Sequence, residues 1–491
     1  MLTSSPYEPV PDVQLTHPEW SRDATIYQIN QRNFTREGTF RAAEAHLPRL
    51  RDLGVDILWL MPVHPIGELN RKGGLGSPYA VKDYLAVNPE FGTLEDLRHF
   101  VAAAHDLGFH VILDWVANHT AWDNPLVQEH PEWYARDWNG SFRPTPWWDW
   151  DDIIDLDYDN EDLRRYMTEA MKFWVREAGV DGYRCDVAGF VPLDFWENVR
   201  RELDEIKPVF MLAEWESRDL HVRAFDMSYG WSWNDTLHKI AHGKADVDVL
   251  KVYYAWNDRF YQRDAYRMLF VSNHDKNAWE GTEYEQFGDA RVPAVVLSVV
   301  SEGMPLIYNG QEAGSDRRLD FFEKDQIEWR EDEQGELYRR LLALRKAHPA
   351  LRNGAAGGRM VRVPNTAEAA VLSFVRAVDG DRVFAAFNFS PQEQTVTLGK
   401  GPQAGTWSDP WSDKTVELSQ GQSYTLPAWG HQVLVGSCAE KLKAAKTRSP
   451  STARTKLRTA ASAVFGTRTM RPPAAPLRRA GCALRSARRR R

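Results

Sequence analysis

The sequence predicts an α/β fold: a closed (β/α)8 TIM barrel with an excursion after strand 3 and a C-terminal antiparallel β-sandwich domain. Three observations carry this. From about residue 24 to residue 345, short apolar runs alternate with longer amphipathic segments, the pattern of a parallel sheet covered on both faces. Segment 119–165 breaks that rhythm with a long aromatic and acidic stretch, including PTPWWDWDDIIDLDYDN. Beyond about residue 350 the alternation shortens to period two, as half-buried antiparallel strands require.

The strands are read in order as ATIYQIN (24–30), VDILWLMPV (55–63), FHVILDWVAN (109–118), GVDGYRCDV (179–187), PVFMLAEW (208–215), a weaker RAFDMSY (223–229), YRMLFVSNH (266–274) and MPLIYNG (304–310). Between the second and third, TLEDLRHFVAAAHDLG (93–108) puts Leu94, Leu97, Phe100 and Val101 on one helical face. Thr93 ahead of Glu95 and Asp96 marks its start. About eight such units in roughly 300 residues fit a closed barrel. A doubly wound sheet competes, but no Gly-rich phosphate fingerprint follows the first strand. A loop as long as 119–165 is functional or disordered, and its tryptophans argue for order, so it is placed over the barrel mouth. AVLSFVRAV, RVFAAFNFS, QTVTLG and QVLVG then supply sandwich strands. The domains are therefore a barrel at 1–118 and 166–349, an excursion at 119–165, a sandwich at 350–437 and a tail at 438–491.

That tail is Ala-, Arg-, Ser- and Pro-rich and is expected to be disordered. Its sixteen Lys or Arg face one acid, Glu440, so it carries +15 and leaves −23 of the chain's −8 on residues 1–437. So acidic a body argues against nucleic acid as a partner of the folded part. The three cysteines, Cys185, Cys438 and Cys482, are too scattered for a disulfide framework or a metal site. No stretch is apolar enough to span a membrane and no secretory signal is visible at the N-terminus, so a cytoplasmic, soluble protein is expected. Twenty tryptophans exceed what a core needs; flat amphipathic rings suit sugar faces or protein surfaces.

Reactive groups of a (β/α)8 barrel stand at the C-terminal ends of its strands. Those ends carry Asp114, Asn118 and His119 after strand 3, Arg184 and Asp186 after strand 4, Glu214 after strand 5, and His274 with Asp275 after strand 7. Each alone has a plain explanation as a turn residue, a cap or a structural ion pair. Four segments converging on one mouth favour chemistry. Three carboxylates, Asp186, Glu214 and Asp275, suit glycoside hydrolysis, in which retaining enzymes pair a nucleophile with an acid that later becomes a base. Arg184 and Asp186 lie on the same side of their strand, so the guanidinium is expected to keep Asp186 ionised and aimed. Glu214, between Ala213 and Trp215 and near like charges, is expected to hold its proton more tightly than usual.

DWVANH (114–119), GYRCDVA (182–188), LAEW (212–215) and VSNHD (271–275) resemble the four motif regions of the α-amylase superfamily, glycoside hydrolase family 13. GMPLIYNGQE (303–312) and IYQINQRNF (26–34) resemble its motifs at the eighth and first strands. The resemblance covers about residues 20–437. It implies Asp186 as nucleophile, Glu214 as acid/base, and Asp275 as the group binding the 2- and 3-hydroxyls of the sugar at the cleaved bond. It further implies that His119 and His274 bond that sugar, that Tyr79 stacks beneath it, and that Asp114 supports the site. Asn118 matches a family calcium ligand, which makes calcium a candidate cofactor. The implied substrate is an α-glucan oligosaccharide, with hydrolysis of α-1,4 bonds ahead of transglycosylation or α-glucosidase action, and a non-catalytic sugar-binding relative last. The sequence departs from many members at Gly189 and Phe190, where a Lys-His pair is common. Val187 is shared with some α-1,6-cleaving relatives of another branch. Trp147, Trp148 and Trp150 are candidates to stack on further sugars, Trp148 foremost, or simply to pack the excursion.

Overall fold

Short apolar runs bury both faces in a parallel sheet covered by helices, and here that sheet closes into a barrel. The structure, a computed structural model, describes residues 12–412 and 414–436; the tail at 438–491 lies outside the described residues. Eight parallel strands form the barrel: β1 (Ile26–Ile29), β2 (Ile57–Leu60), β3 (His110–Trp115), β4 (Gly182–Cys185), β5 (Phe210–Ala213), β6 (Met227–Tyr229), β7 (Tyr266–Leu269) and β8 (Met304–Tyr308). Each pairs with its neighbour in sequence, and β1 with β8 closes the ring. The weakest candidate strand, β6, is present but three residues long.

Period-two alternation sorts the side chains. Ile26, Ile57, Trp59, Ile112, Phe210, Leu212, Met268 and Leu306 fill the barrel interior, whereas Tyr27, Leu58, Leu60, Val111, Leu113, Tyr183 and Met211 join the core under the helices. On β4 the interior positions are Gly182 and Arg184. A Cβ at Gly182 would come within 1.8 Å of the Phe210 carbonyl oxygen, so only glycine lets β4 and β5 approach there. The helix Leu94–Asp106 begins with a capping box, in which Thr93 and Asp96 bond each other's backbone amides. After the excursion the chain re-enters the helical layer at Glu161–Glu177, and the Asn160 side chain accepts from two amides at its start.

Within 119–165, strands His119–Ala121 and Ile153–Asp155 pair antiparallel and pin both ends of the excursion next to the end of β3. At the C-terminus, six antiparallel strands, beginning with Met360–Arg362 and ending with His431–Gly436, form one sheet; Gln394–Thr397 and Ser423–Leu426 form a two-stranded ribbon. Val396 and Leu426 of the ribbon share a buried core with Phe384, Trp407 and Leu434 of the sheet, which makes the predicted second layer. Buried Arg376 ties this domain to the barrel, donating to the carbonyls of Val300 and Ser301 at the C-terminal end of the helix Arg291–Val300, groups that have no partner within their own helix. No helix among the described residues is long and apolar enough to cross a membrane.

Candidate active site

The interior of an eight-stranded barrel is too narrow for an unpaired charge, so Arg184 must bring its partners with it. Its side chain is fully buried near the top of β4. Nη1 donates to Asp114 Oδ1 and to Asp186 Oδ1, each at 2.8 Å. Nη2 lies 3.0 Å from Glu214 Oε2, an ion-pair contact, and Nε donates to the Tyr229 hydroxyl at 3.1 Å. The guanidinium carbon stands over the rings of Trp59, Tyr79 and Tyr229 at 5.2–5.6 Å, an arrangement that steadies a cation out of water. One guanidinium thus orients three carboxylates from β3, β4 and β5. Arg184→Met is expected to lower stability by about 3–5 kcal/mol, because the partners of a broken buried ion pair stay buried. The loss should be larger at pH 8 than at pH 5, where protonation relieves the carboxylates. Denaturant midpoints at the two pH values check this, and a change below about 1 kcal/mol would show that the cluster does not depend on the guanidinium.

Asp186 and Glu214 continue the barrel ladder, their amides donating to the carbonyls of Trp115 and Cys185. The chain then turns sharply. Val187, read from sequence as the end of a strand, is instead left-handed at φ 35° and ψ 48°, a conformation that costs a β-branched residue free energy. The turn aims the Val187 amide at Glu214 Oε2, 2.8 Å away.

Burial pushes the Asp186 carboxyl up to about 6 against the pull of Arg184, with Asp114 and Asp275 adding to the rise. Arg184 bonds Asp186 and favours its ionised form, while removal from water pulls the other way and is the larger effect. Burial pushes Glu214 up to about 8, again against Arg184 and helped by the charges of Asp186 and Asp275. Of the two, Glu214 holds its proton more tightly. Asp114, wholly buried, is raised to about 6 by the same desolvation.

A chain of hydrogen bonds sets the neighbouring rings. Gln28 Nε2 donates to His274 Nδ1 at 2.7 Å, so the ring proton of His274 sits on Nε2, 2.8 Å from the Tyr79 hydroxyl. That hydroxyl donates to Asp114 Oδ2 at 3.0 Å, which also accepts from Trp59 Nε1. Burial lowers His274 to about 4 and lowers His119 as well, leaving both imidazoles neutral. His274 Nε2 also lies 3.3 Å from Asp275 Oδ2. Tyr79 stacks parallel to His274, ring centroids 5.5 Å apart.

Above these groups opens a cavity of about 570 Å³ lined by Tyr79, His119, Trp148, Asp186, Glu214, His274 and Asp275. Arg184 and Asp114 lie beneath it, fully buried. Trp148 stacks on Trp150, and both line the cavity, whereas Trp147 is fully exposed and does not. Sequence reasoning missed Lys72, Trp279, Phe321 and Phe322, which complete the wall, and the positioning groups Gln28, Trp59 and Tyr229. Gln28 carried a signal, since it sits at an inward position of β1 among apolar residues.

Asn118 belongs to a different arrangement. Its Nδ2 lies 3.2–3.3 Å from His119 Nδ1, Thr145 Oγ1 and Asp155 Oδ1, and the Thr145 hydroxyl donates to the same carboxylate. Calcium takes six to eight oxygens. Here the amide nitrogen faces the one carboxylate of the group, and among the described residues no three His, Cys, Asp or Glu side chains are placed to hold a metal. Asp151 and Asp152 turn to Lys72 instead. The side chains around Asn118 do not fit calcium.

At Gly189 the fold explains a sequence departure. A Cβ there would come 2.1 Å from the Trp215 indole, so that ring fills the space a longer side chain would take. Half-exposed Phe190 meets the same indole at 5.2 Å. The two rings thus pack on each other, Trp215 being next in sequence to Glu214.

Comparisons with known proteins concern the chain as a whole. The family described as "Alpha amylase, catalytic domain" matches residues 27–352, and that described as "Alpha amylase, C-terminal all-beta domain" matches residues 364–436. The chain is 28% identical over 406 residues to "Alpha-amylase MalA" of Haloarcula japonica, covering 78% of this chain but only 58% of that relative's length. It is 26% identical over 446 residues to a "Cyclomaltodextrinase" of a Bacillus species, covering 79% and 76%. Among solved structures, the "noncanonic maltogenic alpha-amylase AmyB from Thermotoga neapolitana" superposes with a TM-score of 0.77 at 31% identity, covering 84% of this chain and 98% of that one.

Proposed function

Because the chain belongs to the α-amylase family, we propose that it is a retaining glycoside hydrolase cleaving α-glucosidic bonds, α-1,4 foremost, of maltooligosaccharides derived from starch or glycogen. The observation that carries this reading is the pair Asp186 and Glu214. They are gripped by adjacent nitrogens of one guanidinium, face one cavity, and have proton affinities driven apart in the order a nucleophile and an acid require.

In the first step a carboxylate oxygen of Asp186 bonds to the anomeric carbon as the glycosidic bond breaks, and Glu214 gives its proton to the departing oxygen. The product is a β-glycosyl ester on Asp186. In the second step Glu214, now ionised, takes a proton from water as the water oxygen bonds to the same carbon and the ester breaks. Two inversions restore the α configuration. Asp275 holds the 2- and 3-hydroxyls, neutral His119 and His274 bond the same ring, and Tyr79 stacks under it. No step passes through a metal.

Proton NMR of maltotetraose digestion is expected to show the α-anomer of the new reducing end first, decaying by mutarotation. A β-anomer appearing first would sink the retaining mechanism. One observation favours a second reading, transfer to a sugar instead of water: Trp215 and Phe190 offer an apolar face next to Glu214 on which an acceptor ring can stack. Oligosaccharides longer than maltotetraose early in the same digestion would support transfer.

A further inference from the structure

The cavity is closed on one side by contacts that the chemistry of bond cleavage does not use. The loop after β2 lies on the loop after β8: Leu75 N donates to the Phe322 carbonyl at 3.0 Å, and Gly74 N donates to Glu323. Gly73, at φ +65°, sits so close that a Cβ would stand 2.5 Å from Phe322 Cβ. From this support Lys72 reaches across to the excursion. Its Nζ donates to the Asp149 carbonyl at 2.5 Å and lies 3.2 and 3.5 Å from the Asp151 and Asp152 carboxylates. Asp151 is itself held through its carbonyl by Trp122 Nε1 at 2.9 Å. The span is continuous from the β8 loop, through the β2 loop, to the β3 excursion.

Its position relative to the reacting groups follows from the barrel order. β8, β1, β2 and β3 are consecutive around the ring, and β5, which ends at Glu214, lies opposite β1. Under the span, Phe321 stacks parallel to Tyr79 and His274 at 6.2–6.3 Å, and Trp279 and Phe322 pack on Phe321. Over β4 and β5 the rim carries Trp215 and Phe190, whose rings pack on each other. A proton donor faces the leaving group, so the leaving part of a chain runs out over β4 and β5. The non-reducing part runs toward the span.

We propose that the Lys72 bridge to Asp149, Asp151 and Asp152 blocks the non-reducing side of the cleft, so that chains enter by their non-reducing ends and are cut near them. The inference rests on the hydrolase reading and adds exo action to it. The cavity bordered by the span measures about 570 Å³, within the range of small-ligand sites.

Three substrates test it with the full chain: maltoheptaose, maltoheptaose blocked at its non-reducing glucose by a 4,6-O-ethylidene group, and maltoheptaitol, altered at the other end. The native protein is expected to cut the first and third at similar rates and the blocked chain at least about fiftyfold more slowly. Lys72→Ala and Asp152→Asn are each expected to narrow that gap to within about fivefold. Equal cleavage of blocked and open chains by the native protein would overturn the inference. So would a gap that persists in both variants while they still cut maltoheptaose. Failure to cut any of the three would overturn the hydrolase reading itself, and the inference with it.

Discussion

Asp186→Asn is expected to lower kcat on maltotetraose by on the order of 10⁴- to 10⁶-fold, the scale seen when a covalent nucleophile is removed. The amide is close in shape to the carboxylate, and its oxygen can still accept from Arg184 Nη1, now 2.8 Å from Oδ1. Arg184 keeps Asp114 as a charged partner and the amide keeps the shape of the site, so KM should change by less than about tenfold. The amide cannot form the glycosyl ester, and the water route around it lacks a positioned base. Intact-protein mass spectrometry with a slow-leaving fluoroglycoside should show a covalent adduct on the native chain and none on the variant. Activity within tenfold of native, or an adduct on the variant, would remove Asp186 from the reaction.

Glu214→Gln is expected to cost about 10³-fold in kcat on maltotetraose, within the range general acid–base catalysis supplies. The loss in kcat/KM, which reports the first step, should be much smaller for an aryl maltoside, whose leaving group needs no proton. With that substrate the second step, which still needs a base, becomes limiting, and a burst of phenol is expected. An equal loss in kcat/KM on both substrates would mean that Glu214 does not protonate the leaving group. The same substitution changes stability in the opposite direction. Glu214 is raised from the usual 4.5 to about 8, so the folded state keeps a proton that the unfolded chain has lost. That contribution is full below about pH 4.5 and is lost as pH rises through 8. At roughly 1.4 kcal/mol for each tenfold change in proton affinity, Gln at this position should be more stable than Glu by a few kcal/mol at pH 8 and equal at pH 4. A site that costs stability to hold its acid is the usual trade of function against fold.

The pH profile of the native protein follows from the same two groups. kcat/KM should fall below about pH 6 as Asp186 takes up a proton, and above about pH 8 as Glu214 loses one. In Glu214→Gln the alkaline limb should vanish and the acid limb remain.

Much of the barrel could be read from the sequence because one physical rule governs it. A parallel strand covered on both faces must be apolar throughout, and few other structures write that pattern eight times. The order of Asp114, Arg184, Asp186, Glu214, His274 and Asp275 at strand ends was legible for the same reason: the barrel turns sequence position into place. Lys72, Phe321, Phe322 and Trp279 were not legible. They sit on loops with no periodicity, and their meeting depends on how three loops fold over one mouth. Val187 misled, because a β-branched residue after a strand favours extension locally and only the turn toward Glu214 makes it left-handed.

By itself, then, the sequence determined the barrel, its C-terminal β domain and which carboxylates share a rim, since burial periodicity and strand order are written along the chain. Tertiary structure alone decided that burial raises Asp186 as well as Glu214, and that Lys72 meets the acidic excursion. Both depend on residues distant in sequence: desolvation is a property of the assembled volume, and the bridge of how separate loops fold over one mouth, which no local run of residues encodes.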